Sequence, residues 1–371
     1  MLKAIINPFT YFKRADFKLK FARWRWRTAA HNGLIRYILR KRFEIEAKHL
    51  ECEVFGMKYS SPIGLAAGFD RNGDMIESLA AAGFGFVEVG SITAREQRNT
   101  TSPAIYELPN DKALIYRGIT DSDGVEKVIE KIKQRKSNIV VGCNIVKGEL
   151  TAAEDAPMEY LRLFRPLYQY ADYFTINIAY NSSTEHYTPF DKDEVNAILT
   201  PLFEFRRGQN QYRPILLKIS PVLSDEQIDV MTDIMLETPL DGIVACGGTI
   251  GRHGLDNSTQ EIHSIGRTEG AMCGKPLFDR AVEVIKRIYD RSKGTYPIIG
   301  CGGVTTPDEA KAMLDAGATL VQICSEFVYG GADSLRNIRQ GLNERIRKAE
   351  LAAATTAESE TKEIKEEAND D

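Results

Sequence analysis

The chain has 371 residues, of which 43% are hydrophobic and 27% charged, and its formal net charge is -4. This is the composition of a globular chain with room for one large domain and additions at its ends, not of a disordered one. Six cysteines lie without CxxC spacing, so we expect free thiols in a reducing compartment, with no disulfide framework and no metal site. No apolar run approaches the roughly 18 residues of a membrane span, and no cleavable signal peptide is visible.

Residues 1–43 predict two basic amphipathic helices. Positions 13–42 contain eleven Lys or Arg and a single acid, Asp16. Three aromatic residues recur at helical spacing on one face, namely Phe17, Phe21 and Trp24. Such helices suit an anionic membrane surface, whereas the alternative is a basic face packed on the protein itself or on RNA. Because exposed Trp and Phe are costly in water, we favour a peripheral position on the cytoplasmic face of a membrane, with no nucleic-acid partner.

Eight short apolar segments, each followed by a helical pattern, alternate through residues 44–349. Strands are predicted at 63–67, 86–90, 139–144, 172–178, 214–219, 241–246, 297–301 and 320–324. Helices are predicted at 74–82, 122–136, 157–170, 191–207, 224–237, 276–291, 307–316 and 333–348. This alternation predicts an α/β protein, a (β/α)8 TIM barrel whose active site lies on the loops after the strands. A doubly wound open sheet is the alternative, but no GxGxxG follows the first strand.

The last segment, residues 350–371, is rich in Ala and Thr and then in Glu. Beyond Leu351 its one large apolar residue is Ile364. A segment that cannot bury apolar surface has little to offset the entropy of ordering it. We therefore predict a disordered acidic C-terminal tail that carries no chemistry.

Glycines near the last two strands indicate a phosphate site. Gly302-Gly303 follows the seventh strand and a helix begins near the eighth, which is where such barrels commonly hold a phosphate. The backbone N–H groups of Gly303, Cys324 and Ser325 could hold it. Paired glycines also end strands for steric reasons alone, so this pattern, taken alone, is a moderate signal for a phosphate site.

Lys218, at the end of the fifth strand, is the more specific feature. A buried cation is costly unless it meets an anion, and it could stabilise the negative charge of a reduced flavin or pair with a neighbouring carboxylate. Asn144 and Asn177 offer amides suited to a ring edge, or could join loops. Together these positions favour a flavin mononucleotide (FMN) barrel.

Six segments of the chain resemble the dihydroorotate dehydrogenases, specifically the membrane-associated class that uses quinone. They are SPIGLAAGFDRNG, GFGFVEVGSIT, ADYFTINI, LLKISP, PIIGCGG and AGATLVQICSEFVY, and the resemblance spans residues 50–348. It implies a (β/α)8 barrel with FMN that oxidises dihydroorotate to orotate in pyrimidine synthesis and reduces quinone. It also implies FMN contacts at Ala67, Gly68, Ser91, Asn144, Asn177, Lys218, Cys246, Gly274, Gly303, Cys324 and Ser325.

The substrate side departs from the family pattern. Arg71 stands where the family has Lys, Asp121 where it has a substrate-binding Asn, and Gly247-Gly248 where it has Asn-Thr. Substrate-binding positions implied by the resemblance are Arg71, Asp121, Asn177, Ser182, Gly247 and Gly248. Asp121 would repel a substrate carboxylate unless Arg71 neutralises it.

The catalytic serine of the family is absent from this chain. In ungapped register Tyr180 takes its place and Ser182 takes that of a nearby Asn; with a one-residue gap the serine becomes Ala179. Tyr180 could act as the base only if its pKa, about 10 when unperturbed, were lowered. Tyr180 and Ser182 are therefore the catalytic candidates, with Ser183 as a further possibility after a loop shift.

Three interpretations follow. The first is an FMN-dependent dehydrogenase of the dihydroorotate type that reduces quinone. The second is a relative that keeps FMN and oxidises another small molecule, and the third is an inactive flavoprotein or membrane scaffold. A metal-dependent hydrolase is disfavoured because His186 and His253 are isolated.

Overall fold

The computed structural model describes residues 8–179, 190–256 and 270–367. Its strands in chain order are β1 Cys52–Val54, β2 Met57–Tyr59, β3 Ile63–Leu65, β4 Phe86–Ile92, β5 Ile105–Leu108, β6 Ala113–Tyr116, β7 Val140–Ile145, β8 Tyr173–Asn177, β9 Ile215–Ile219, β10 Gly242–Ala245, β11 Ala271–Gly274, β12 Ile298–Cys301 and β13 Leu320–Ile323. Its α-helices are α1 Pro8–His31, α2 Gly33–Phe43, α3 Ile76–Ala82, α4 Val125–Ile132, α5 Ala156–Leu167, α6 Lys192–Arg207, α7 Asp225–Glu237, α8 Phe278–Ser292, α9 Pro307–Asp315 and α10 Ser325–Glu367.

Eight of these strands pair in parallel and close into a barrel in the order β10, β12, β13, β3, β4, β7, β8, β9. Every residue of β3, β9, β10 and β13 is buried, because one face packs inside the barrel and the other meets the surrounding helices. All eight strands lie within two residues of their predicted bounds. The (β/α)8 prediction is confirmed, and the open-sheet alternative is wrong.

A hairpin that the sequence patterns did not predict packs at the amino-terminal end of the barrel. Its strands β1 and β2 pair antiparallel. The ring of Tyr59 lies edge-on to that of Phe86, with centroids 5.6 Å apart. One apolar cluster holds the hairpin and the barrel interior together: Val54, Tyr59, Phe86, Val140, Tyr173, Leu216, Val244, Ile299 and Leu320. Strands of three residues are too short to show a period-2 pattern, which is why the hairpin was missed.

A second unpredicted sheet lies beside the other end of the barrel. Its strands run in the order β11, β6, β5, and both pairings are antiparallel. β5 and β6 form a hairpin, whereas β11 is more than 150 residues further along the chain. This sheet brings residues 271–274 against residues 113–116 and so contributes one wall of the cavity described below.

The two N-terminal helices are present, and α1 packs against α3 and β5. Leu19 and Ala30 on its inner face are buried, whereas Phe17, Phe21 and Trp24 are 69%, 48% and 57% exposed. The predicted aromatic face therefore points to solvent, while a different face of the helix docks on the protein itself. No α-helix among the described residues is both long enough and apolar enough to cross a bilayer.

The C-terminal prediction requires a correction. Helix α10 bends at Gly331, where φ is 62° and ψ is -148°, and then continues to Glu367. Residues 350–367 are thus helical where the sequence composition predicted disorder. Ala, Glu and Lys are strong helix formers, so a segment without an apolar face can still extend a helix that is already nucleated.

Candidate functional site

A cavity of about 260 Å³ opens at the carboxyl ends of the barrel strands. Thirteen predicted site residues line it: Ala67, Gly68, Arg71, Ser91, Asn177, Lys218, Cys246, Gly247, Gly248, Gly274, Gly303, Cys324 and Ser325. Asn144 and Asp121 do not line it, and Tyr180, Ser182 and Ser183 lie outside the described residues. Among the further lining residues that were not predicted to be part of the site are Arg23, Tyr116, Cys301 and Gln322.

Lys218 is a buried cation at the floor of the cavity. Its side chain is 7% exposed, and its Nζ lies 3.9 Å from a carboxylate oxygen of Glu88. Burial acts to lower the pKa of Lys218, but the neighbouring Cys301 and Glu88 outweigh it and raise the pKa above its ordinary value. Lys218 is therefore charged at neutral pH. The carboxylate that was expected beside Lys218 is present, and Lys218 also lines the cavity.

Glu88 organises the polar groups beneath the cavity. One of its oxygens accepts a hydrogen bond from Asn144 Nδ2 at 2.8 Å. The other accepts from Thr175 Oγ1 at 2.8 Å, Gln322 Nε2 at 2.9 Å and Tyr173 Oη at 3.2 Å. A single acid within the apolar strand FVEVG was the sequence signal for this group.

Asn144 lies one layer below the cavity surface and joins Glu88 to the residues above. Its Oδ1 accepts a hydrogen bond from Ser91 Oγ at 2.7 Å, and that hydroxyl accepts one from Asn177 Nδ2 at 3.2 Å. Ser91 and Asn177 line the cavity, whereas Asn144 is fully buried. Asn144 thus joins β7 to its neighbour β4, and Asn177 joins β8 to β4 and also lines the cavity.

Gly303, at the predicted phosphate site, lies where two backbone segments approach each other closely. Gly303 has φ of 77°, and a Cβ there would lie 2.8 Å from the backbone nitrogen of Phe278 and 3.0 Å from the carbonyl oxygen of Gly274. Only glycine fits this close approach. Helix α10 begins at Ser325, beside Cys324, and its first N–H groups have no acceptor within the helix.

Arg71 also lines the cavity, and Tyr116 holds its side chain. Its guanidinium stacks over the ring of Tyr116 at 4.4 Å and donates to Tyr116 Oη at 3.0 Å. Asp121 lies 3.8 Å from Arg71 and 3.4 Å from Arg98. The two arginines therefore neutralise Asp121, so the repulsion expected between this carboxylate and an anionic ligand is reduced.

Helix α1 contributes Arg23 to the same cavity. Arg23 Nη2 donates to the carbonyl oxygen of Gly68, which also accepts from Arg71 Nε at 3.2 Å. Burial, together with the nearby charge of Arg71, lowers the pKa of Arg23 to about 9. Its buried Nε has no hydrogen-bond partner, which fits a cavity that takes up an anionic or carbonyl-bearing ligand on this side. The alternation of basic and aromatic residues in α1 gave no sign of which arginine would point inward.

Four thiols also line the cavity, those of Cys246, Cys273, Cys301 and Cys324. Burial raises the pKa of Cys246 to about 12 and that of Cys324 to about 11, so both are neutral thiols at pH 7. None of the six cysteines is in a disulfide. Across the parts of the chain that the structure describes, no group of three or more His, Cys, Asp or Glu is arranged to hold a metal ion.

A closed parallel barrel with its cavity at the carboxyl ends of the strands defines a (β/α)8-barrel enzyme. The family model described as dihydroorotate dehydrogenase matches residues 49–346. The chain belongs to the dihydroorotate dehydrogenase family.

Individual relatives agree with this assignment. The dihydroorotate dehydrogenase (quinone) of Christiangramia forsetii is 35% identical over 307 residues, which are 83% of this chain and 88% of that protein. The enzyme of the same name from Corynebacterium diphtheriae is 37% identical over 309 residues, 83% of each chain. A ligand-free DHODH structure from Eimeria tenella superposes with a TM-score of 0.75 at 25% identity and covers 85% of this chain and 94% of its own.

Proposed function

We propose that the protein is an FMN-dependent dehydrogenase that oxidises dihydroorotate to orotate in pyrimidine synthesis and passes the electrons to a quinone. One observation carries the proposal: Lys218, a buried cation, lines the same cavity as the glycine cradle at Gly303 and the start of α10. A cation for a reduced ring and a cradle for a phosphate are the two features that an FMN site needs.

The residues present fit the cofactor. The backbone of Gly303, Cys324 and Ser325 would hold the phosphate, while Lys218 and Asn177 would contact the ring. The buried Oε1 of Gln322, which has no partner in the protein, is a further acceptor at the cavity. The chemistry that bound FMN would supply is the uptake of a hydride from C6 of the substrate and the transfer of two electrons to the acceptor.

Arg71 would bind the substrate carboxylate. Its guanidinium can meet a carboxylate with two parallel hydrogen bonds, and the stacking on Tyr116 fixes its plane in advance. Removal of the proton from C5 of the substrate needs a base, for which Tyr180 and Ser182 remain the candidates from sequence. Both follow Ala179 in the sequence, and Ala179 lines the cavity.

The acceptor would enter along α1. Leu19 and Arg23 of this helix line the cavity, while Phe17, Phe21 and Trp24 on the other face are exposed. A quinone dissolved in the bilayer could then reach the cavity beside a helix that rests on an anionic membrane surface.

The first experiment is a visible spectrum of the purified protein, recorded anaerobically before and after addition of dihydroorotate. A flavin spectrum that bleaches, followed by reoxidation with quinone, is the expected result. A flavin that does not bleach would contradict the proposed substrate, and a protein without flavin after expression and incubation with FMN would contradict the proposed cofactor.

The second candidate function is an FMN enzyme for a different small molecule. The observation that favours it is the change in residues expected to contact the substrate. Arg71 is stacked on Tyr116, and Gly247-Gly248 replaces the Asn-Thr pair of the family. At Gly247 an added Cβ would lie 3.0 Å from the Cβ of Ala179, so the glycine allows a close contact between loops. A bound flavin that stays oxidised with dihydroorotate would favour this candidate.

The membrane proposal has its own test. Replacing Phe17, Phe21 and Trp24 together by Ser should abolish co-flotation with vesicles that contain anionic lipid, while the flavin spectrum is retained. The matched control is Met158→Ser, which removes a residue that is 58% exposed on another face. Unchanged flotation of the triple variant would contradict the membrane role of this face.

A further inference from the structure

Glu88 is a fully buried carboxylate in the interior of the barrel. It lies between the apolar cluster at the amino-terminal end of the barrel and the cavity at the carboxyl end. Its ligands come from four other strands: Asn144 on β7, Tyr173 and Thr175 on β8, Lys218 on β9 and Gln322 on β13. A buried charge is tolerated only when hydrogen bonds and an opposite charge compensate it. Four neutral donors and one cation achieve this compensation here.

Two of these ligands also line the cavity. Lys218 and Gln322 each contact Glu88 and form part of the cavity wall. A third path runs from Glu88 through Asn144 to Ser91 and Asn177. Glu88 therefore holds the polar residues that face the ligand, although it does not line the cavity itself.

We propose that Glu88 is a positioning residue that fixes Lys218 and Asn144 and sets the charge beneath the cofactor, so that it tunes the reduction potential of the bound flavin. The inference rests on the proposed FMN site. Lys218 favours the added negative charge of a reduced ring, and the carboxylate 3.9 Å away opposes it. Among the described cavity-lining residues there is no Asp or Glu, so Glu88 supplies the negative charge closest to this lysine.

The test compares Glu88→Gln with Thr175→Val. Glu88→Gln removes the charge, whereas Thr175→Val removes one hydrogen bond of the same network and leaves the charge in place. The flavin midpoint potential, measured by equilibration with reference dyes, is independent of substrate turnover. In Glu88→Gln we expect the ratio of the affinities for reduced and oxidised FMN to rise at least tenfold, which equals about 30 mV for a two-electron couple. In Thr175→Val we expect a change of less than threefold.

Equal midpoint potentials in Glu88→Gln and the wild type would overturn the inference. Equal shifts of the potential in Glu88→Gln and Thr175→Val would also overturn it, because a purely structural role predicts the same effect from either change. Glu88→Asp separates charge from geometry: the potential should stay close to that of the wild type, while FMN affinity falls because the shorter side chain cannot reach all of its partners.

A measurement on the wild type covers the case in which these variants do not fold. Redox-difference infrared spectra of protein labelled with 13C-glutamate should show a carboxylate band that shifts when the flavin is reduced. An unshifted band would refute the inference. A wild-type protein that binds no flavin would refute the proposed function and this inference together, whereas a flavin protein whose potential is insensitive to Glu88 refutes the inference alone.

Discussion

The two ends of the barrel are built from the same strands and differ in almost every other respect. The amino-terminal end is packed with apolar side chains around the hairpin of β1 and β2, with Tyr59 and Phe86 in contact. The carboxyl end carries the cations Lys218, Arg71 and Arg23 around a cavity. In barrels of this class, one end supplies stability and the other supplies chemistry.

The boundary between these ends is a single layer of side chains. Tyr173 belongs to the apolar cluster and donates its hydroxyl hydrogen bond to Glu88, which in turn contacts Lys218. The following changes test how independent the two ends are, in order of decreasing expected effect.

Phe86→Ala should cause the largest loss of stability, about 3–5 kcal/mol. The change leaves a cavity in a packed region, and the neighbouring ring of Tyr59 cannot move to fill it. Urea unfolding of the apoprotein measures it, and FMN affinity should change by less than threefold. Leu236→Ala, at a residue that is 40% exposed, is the control and should cost far less. A parallel fall in FMN affinity would show that the ends are coupled.

Asp70 should make the carboxyl end sensitive to pH. Burial raises its pKa to about 6, even though its carboxylate accepts backbone hydrogen bonds from Asp74 and Met75. The unfolded pKa is about 3.9, so the folded state holds this proton more tightly than the unfolded state. The contribution of Asp70 to stability is therefore complete below about pH 4 and is lost as pH rises through about 6, a change of roughly 3 kcal/mol.

Asp70→Asn removes this titration. The free energy of unfolding of the wild type minus that of the variant should fall by roughly 2 kcal/mol between pH 4 and pH 7 in urea melts. The exposed Asp279→Asn serves as the control. A difference for Asp70→Asn that does not change with pH would contradict the raised pKa.

Lys218→Ala should weaken FMN binding by about 10- to 100-fold, since a hydrogen bond to a charged group contributes about 1.5–3 kcal/mol. Fluorescence titration of the apoprotein with FMN measures the affinity. Lys286→Ala, on the outer face of α8, removes an equal charge far from the cavity and should leave the affinity unchanged. Unchanged affinity in Lys218→Ala would remove this lysine from the site.

Tyr116→Phe should have the smallest effect, about 1 kcal/mol, which is roughly a fivefold increase in KM for dihydroorotate with kcat nearly constant. The change removes the hydroxyl that accepts from Arg71 and from Asn99, so the guanidinium is less well oriented. Tyr106→Phe is the matched control, because Tyr106 lies in the neighbouring strand of the same sheet and does not line the cavity. Equal effects of both changes would mean that the sheet, rather than Arg71, is responsible.

Local sequence patterns were sufficient to locate the eight barrel strands because each is a short apolar run followed by a helical period. They were insufficient for the sheet of β5, β6 and β11. The turn between Leu108 and Ala113 was a readable hairpin signal, but nothing local to residues 271–274 indicates the strand with which they pair. The tail after residue 350 was misread because low hydrophobicity and high helix propensity occur there together.

By itself, the sequence determined the barrel, the family and thirteen of the residues that line the cavity. These residues could be found because the strand ends of a parallel barrel converge on one face, whatever the conformation of the loops. Only the tertiary structure decided that Arg23 of α1 enters the cavity, that Arg71 stacks on Tyr116, and that Glu88 lies beneath Lys218. These contacts join residues far apart in the chain, and no periodicity within a segment records which distant side chain will compensate a buried charge.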